Sequence, residues 1–134
     1  MSSVNLGLVR SLYADWERGD FSRTDWVDPK IEWTIADGPS AGRWTGAAGM
    51  RESFLGMLGA WEDFRLKADL YRELDDERIL VLVQVSGRGK TSGVDLSQMP
   101  AKGAHILHIR DDKVMRIDFY WNRRRVLADL GLEG

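Results

Sequence analysis

Two histidines, His105 and His108, are the side chains of this 134-residue chain best suited to move a proton near neutral pH, because an unperturbed imidazole titrates near 6.5. They stand three apart in AHILHIR, residues 104–110, an apolar and β-branched run that predicts a strand. Alternation along a strand puts His105, Leu107 and Ile109 on one face and Ala104, Ile106 and His108 on the other. Two imidazoles on opposite faces make a poor metal pair, and no carboxylate spacing completes a site, so no metal is expected. Cysteine is absent, which removes thiolate ligands, a thiol nucleophile and disulfides. Asp118 and Asp37 are the candidate acid–base partners. Asp118 alternates with Ile117, Phe119 and Trp121 and so falls on the face opposite theirs. Asp37 precedes Gly38-Pro39, where an aspartate ordinarily forms a turn. Gly89-Lys90-Thr91 has the ending of a phosphate loop. Gln84, however, stands where that loop needs glycine, and no strand–loop–helix context surrounds it.

The elements that must position these groups are legible as changes of period. Val4, Leu8, Val9, Leu12, Tyr13 and Trp16 form a stripe at three- and four-residue spacing, which predicts a helix from Ser3 to about Arg18 stopped by Gly19. Residues 22–27 form at most a short helical piece, ended by Asp28-Pro29. KIEWTIA, from Lys30, reads as a strand, and DGPSAGRWTG, residues 37–46, as a loop. A second helix is expected to begin at Thr45 or the residues just after it and to run to about Ala60, with Met50, Phe54, Leu55, Met57, Leu58 and Trp61 as its apolar stripe.

Strands dominate from there. Phe64–Leu74, the turn Asp75-Asp76 and Ile79–Gly89 come first, the last with a run, ILVLVQV, that implies burial on both faces. Gln84 and Ser86 interrupt that run on one face, as polar groups inside the fold or as a paired cluster. Residues 90–102 read as a polar loop or an irregular edge. Ala104–Arg110 and Val114–Trp121 flank Asp111-Asp112 as a hairpin. Asn122 caps a last helix from Arg123 to about Leu130, ended by Gly131. Arg123, Arg124 and Arg125 open it, as a solvated face or as ion-pair donors. Helices first and antiparallel strands after make the class α+β, expected as one domain over residues 1–134.

A net charge of −2 argues against nucleic acid as a partner. No run approaches the roughly 18 apolar residues of a membrane span, and the start MSSVNLGLVRSLY resembles neither signal peptide nor anchor, so the expectation is a soluble cytoplasmic protein. Six tryptophans, at 16, 26, 33, 44, 61 and 121, bring large apolar area that fills a core or lines a cavity; the two are compatible.

Five stretches, in order, carry a resemblance: VRSLYADWERGDF, DPKIEW, RWTGAAGMRESF, ERILVLVQVSGRGKTSG and AHILHIRDDKVMRIDFYWNRRRVLADLGL. Together they resemble the SnoaL-like branch of the nuclear transport factor 2-like superfamily. That resemblance implies a cone: a curved antiparallel sheet wrapped around N-terminal helices, with a short C-terminal helix, an internal pocket and a homodimer through the sheet's outer face. His108, Asp118 and Tyr120 would lie on that outer face. Leu12, Tyr13, Trp16, Trp33, Phe54, Leu58, Leu107, Phe119 and Trp121 would line the pocket.

The superfamily includes polyketide cyclases, ketosteroid isomerases and epoxide hydrolases, so fold fixes the site's location and not its chemistry. His105 matches the position of a pocket histidine in the cyclases. The cyclase base carboxylate matches Phe119, beside Asp118, and only a local bulge would turn Asp118 inward. The isomerase base matches Trp33, and its tyrosine matches Leu12, next to Tyr13. Asp37, near the mouth, would be the remaining partner for His105. Three readings stay open: a binder of a small apolar or aromatic molecule, a cofactor-free isomerase, cyclase or hydrolase using His105 with Asp37 or Asp118, and a dimerisation module. No cofactor is expected in any of them.

Overall fold

Val9, Leu12, Tyr13 and Trp16 share one buried face of a helix over Ser3–Glu17 (α1), as their three- and four-residue spacing requires. Val4, the first member of the predicted stripe, is 67 % exposed at the helix start and takes no part in the core. The computed structural model describes residues 3–18, 26–36, 42–46, 48–52, 61–89 and 101–131. Among the described residues six strands follow α1: β1 Val27–Ile35, β2 Gly42–Thr45, β3 Trp61–Glu73, β4 Arg78–Gly89, β5 Ala101–Arg110 and β6 Lys113–Tyr120. A short helix, α2, spans Arg123–Asp129. The strands form one curved, open sheet in the order β2-β1-β6-β5-β4-β3. Every pairing is antiparallel except β1 with β6.

Several boundaries differ from the sequence expectation, each for a physical reason. β1 begins at Val27, so Asp28-Pro29 lies inside a strand and does not end a helix. Val27 pairs with Val114 and Glu32 with Arg116, and this irregularity absorbs a proline that has no N–H to give the ladder. Residues 42–45, expected as loop, form the edge strand β2, with Trp44 paired to Trp33. Thr45 ends that strand, and helix begins directly after it, at Gly46, the later of the two expected starts. Helix is described over residues 48–52, with Met50 buried. Trp61 opens β3 rather than closing the helical stripe. Phe54, Leu55, Met57 and Leu58 lie outside the described residues.

The sheet is buried on both faces at its centre. Ile79, Val81, Val83, Val85, Leu107 and Ile117 join α1 in the main core, whereas Leu80, Ala104 and Ile106 pack against Val126 of α2. Full burial of such a side chain contributes about 1.5–3 kcal/mol. Local chemistry fixes the ends. Asp111 and Asp112 take φ of 53° and 61°, the two left-handed residues of a type I′ hairpin. Asn122 accepts the Arg124 amide at 3.0 Å as the cap of α2, and Gly131 leaves the helix at φ 69°.

Arg123 is not part of a solvated face. It donates to the carbonyls of Val83 at 2.8 Å and Gly103 at 3.3 Å and to Asp69 at 2.9 Å, fastening α2 to the sheet. Gln84 donates to the same Asp69, so it belongs to this outer network and not to the interior. No helix among the described residues is long and apolar enough to cross a membrane.

Gly103 marks where β6 hands over to α2. A Cβ there would stand 2.5 Å from the Tyr120 carbonyl oxygen, a backbone atom that cannot step aside. Gly103→Ala is therefore expected to destabilise the protein by about 1–3 kcal/mol, read as a lower midpoint in urea denaturation. An unchanged midpoint would contradict this close approach.

Candidate functional site

β5 carries His105 to the inner face of the sheet because Leu107 and Ile109, two and four residues on, must also face the core. His105 is 1 % exposed. The Tyr13 hydroxyl of α1 hydrogen-bonds its Nδ1. Aromatic rings surround the pair. Phe119, opposite His105 in the β5–β6 register, lies 4.4 Å away between ring centroids at 67°. Trp16 lies 6.4 Å from the imidazole. Phe119 in turn stacks on Trp121 at 5.1 Å and meets Trp33 edge-on at 6.2 Å. Seven of the side chains expected to line a pocket therefore share one inner cluster: Leu12, Tyr13, Trp16, Trp33, Leu107, Phe119 and Trp121. Phe54 and Leu58 lie outside the described residues, as does Asp37.

Burial sets the electrostatics. Removal from water lowers the His105 pKa from its ordinary 6.5 to about 3, so the imidazole is neutral at physiological pH. Burial, and secondarily Tyr71, raises the Tyr13 phenol well above its usual 10, so it keeps its proton. The other ring nitrogen, His105 Nε2, is buried and has no hydrogen-bond partner among the described residues. A buried polar atom left unpaired costs about 1–3 kcal/mol, so this one calls for an explanation in function.

Asp118 does not join His105. It pairs with Ile106 across β5–β6, which places it on the outer face, and no register shift falls at this position. There it accepts from Arg116 Nε at 2.8 Å and lies 3.5 Å from His108 Nε2, while Arg116 reaches Glu32 at 3.6 Å. Burial alone would raise its pKa, but hydrogen bonds from His108 and Arg116 hold the carboxyl below its ordinary value. The bulge that would turn Asp118 inward is absent, and with it the route to a catalytic base at this position. Sequence reasoning missed Arg116 as the centre of this outer cluster, although its phase, two residues before Asp118, was available. It also took Tyr13 for a wall residue and missed its bond to His105.

A separate open cleft of about 410 Å³ is lined by Glu17, Arg65, Leu66, Lys67, Gln84 and Ser86. Among the described residues no three His, Asp or Glu side chains are grouped to hold a metal ion.

The SnoaL-like domain family matches residues 9–117 of the chain. Among solved structures, that of TerC co-crystallized with polyporic acid is 20 % identical, covers 96 % of this chain and 98 % of its own, and has a TM-score of 0.74. A nuclear transport factor 2-like protein from Burkholderia thailandensis is 22 % identical over 84 % of this chain and 86 % of its own, with a TM-score of 0.73. A candidate polyketide cyclase from Xanthomonas campestris is 18 % identical over 96 % and 98 %, with a TM-score of 0.68. At these identities the likeness is one of fold. No curated protein matches the chain.

The neutral imidazole has a pH signature. In the unfolded chain His105 takes a proton near pH 6.5, whereas the folded protein leaves it unprotonated down to about pH 3. The unfolded state binds the extra proton between those values, so this contribution is complete above pH 6.5 and is lost as pH falls. Its slope is about 1.4 kcal/mol per pH unit. Carboxylates held below their ordinary range, Asp118 among them, give up their share at lower pH. Urea denaturation of wild type and His105→Gln at pH 7, 6 and 5 is expected to show this slope only in wild type; His108 is common to both proteins and cancels. Equal slopes would contradict a neutral buried His105.

Proposed function

The chain belongs to the SnoaL-like domain family, and from that premise we propose that it binds a small, largely apolar or aromatic molecule inside the curve of its sheet. One observation carries this reading: a buried His105 Nε2, without a partner among the described residues, set in a wall rich in aromatic rings. Such a wall supplies apolar contact area, and a polar atom placed in it supplies orientation, which is the usual composition of a ligand site. TerC, which shares the fold, was co-crystallized with polyporic acid, which supports a small-molecule ligand.

Cofactor-free cyclase or isomerase chemistry is the second reading, favoured by the fold shared with candidate polyketide cyclases. It needs a base. Asp118 faces away from the inner cluster, and a histidine with its pKa near 3 is a weak acceptor of protons. Asp37 is the remaining carboxylate for that role. Binding without turnover is therefore the preferred reading. The outer face, with Glu32, Arg116, Asp118 and His108 in one network, is proposed to pair with a second copy of the chain. Light scattering at micromolar concentration is expected to give twice the chain mass, and a clean monomer would remove the dimer.

Thermal shift against polyketides, terpenes, steroids and aromatic ketones, with each hit assayed for conversion, tests the function. A ligand at 100 times its Kd adds about 2.7 kcal/mol of stability. Stabilisation without conversion is the expected result. Conversion of a hit, lost in His105→Ala, would establish the second reading, and no shift with any compound would overturn both.

A further inference from the structure

The bond between Tyr13 and His105 can be made in two ways, and they leave different groups unmet. In the first, the phenol O–H donates to a bare Nδ1, and the imidazole carries its one proton on Nε2. In the second, Nδ1–H donates to the phenol oxygen, and Nε2 is a bare lone pair. Among the described residues, Nδ1 is the partner of the Tyr13 hydroxyl, so the second arrangement strands the phenol proton as well as Nε2. The first strands Nε2–H alone. Each stranded buried group weakens the fold, so the first arrangement is favoured. Burial keeps both partners uncharged in either case.

We infer that Tyr13 fixes His105 as a neutral Nε2–H donor, and that the ligand meets it with a neutral acceptor oxygen, a ketone or quinone carbonyl. A hydrocarbon would leave the donor unmet. A carboxylate would bring a charge to rings of Tyr13, Trp16 and Phe119, which offer it no cation. Tyr13 is a positioning residue in this scheme: it acts on the ligand through His105. The ligand half of the inference rests on the proposed binding site, whereas the tautomer does not.

The ligand-free protein tests the tautomer first. ¹⁵N NMR of histidine-labelled protein at pH 7 is expected to show His105 protonated at Nε2 and bare at Nδ1, and Tyr13→Phe is expected to shift that balance toward Nδ1–H. Protonation at Nδ1 in wild type would overturn the inference. Three probes of similar size then test the ligand: 1-tetralone, tetralin and 1-naphthoate. His105→Phe, which keeps a ring in place, is expected to weaken 1-tetralone about tenfold and leave tetralin within about twofold, with 1-naphthoate the weakest in wild type. Equal losses for tetralone and tetralin, or tightest binding of naphthoate, would overturn the carbonyl assignment while leaving the binding site standing. Failure of all three to bind would overturn that assignment together with the site.

Discussion

A tyrosine hydroxyl on α1 and a ring nitrogen on β5, 92 residues apart in the chain, are joined inside the core of the protein. Placing two polar groups there costs desolvation, and the hydrogen bond between them returns a net of only about 1 kcal/mol. Its weight lies in what it constrains. It sets α1 in register with the inner face of the sheet, joins two titratable groups that burial keeps uncharged at neutral pH, and occupies one nitrogen of the imidazole while the other has no partner among the described residues. Apolar burial by Val9, Leu12, Trp16, Leu107 and Phe119 supplies the stability that tolerates the unpaired atom.

The pleat of the sheet then separates two kinds of chemistry by a single residue. Phe119 points into the aromatic cluster, and Asp118 points into the charged network of Arg116, His108 and Glu32. A carboxylate one position later would stand against His105 and make an acid–base pair; here a phenyl ring does, at 4.4 Å. On the proposed reading the interior holds the ligand and the outer face meets a second copy of the chain. Arg123 keeps the faces distinct by fastening α2 over Leu80, Ala104 and Ile106.

What the sequence could show follows from how local each feature is. The Asp111-Asp112 turn, the Asn122 cap and the α1 stripe depend on neighbours within a few residues, and all three were legible. So was the outward phase of Asp118, which follows from alternation alone. β2 was not, because four residues with two possible roles become a strand only by pairing with β1. The parallel β1–β6 pair and the irregularity around Pro29 likewise depend on a strand near the other end of the chain. The Arg123 clamp was hidden for another reason: two of its acceptors are main-chain carbonyls, which no side-chain pattern encodes. The Tyr13–His105 bond was hidden because Tyr13 read as wall and His105 as an acid–base group partnered by Asp37 or Asp118, and their meeting across 92 residues is a property of the fold.

A crystal structure of the protein with 1-tetralone bound tests the central claim most directly. The account predicts the ketone oxygen at hydrogen-bond distance, about 2.7–3.2 Å, from His105 Nε2, with the ring of the ligand against the aromatic cluster of Trp33, Phe119 and Trp121. A ligand seated elsewhere, in the cleft beside Glu17 and Lys67 for example, or an Nε2 already paired with a protein group in the complex, would contradict it.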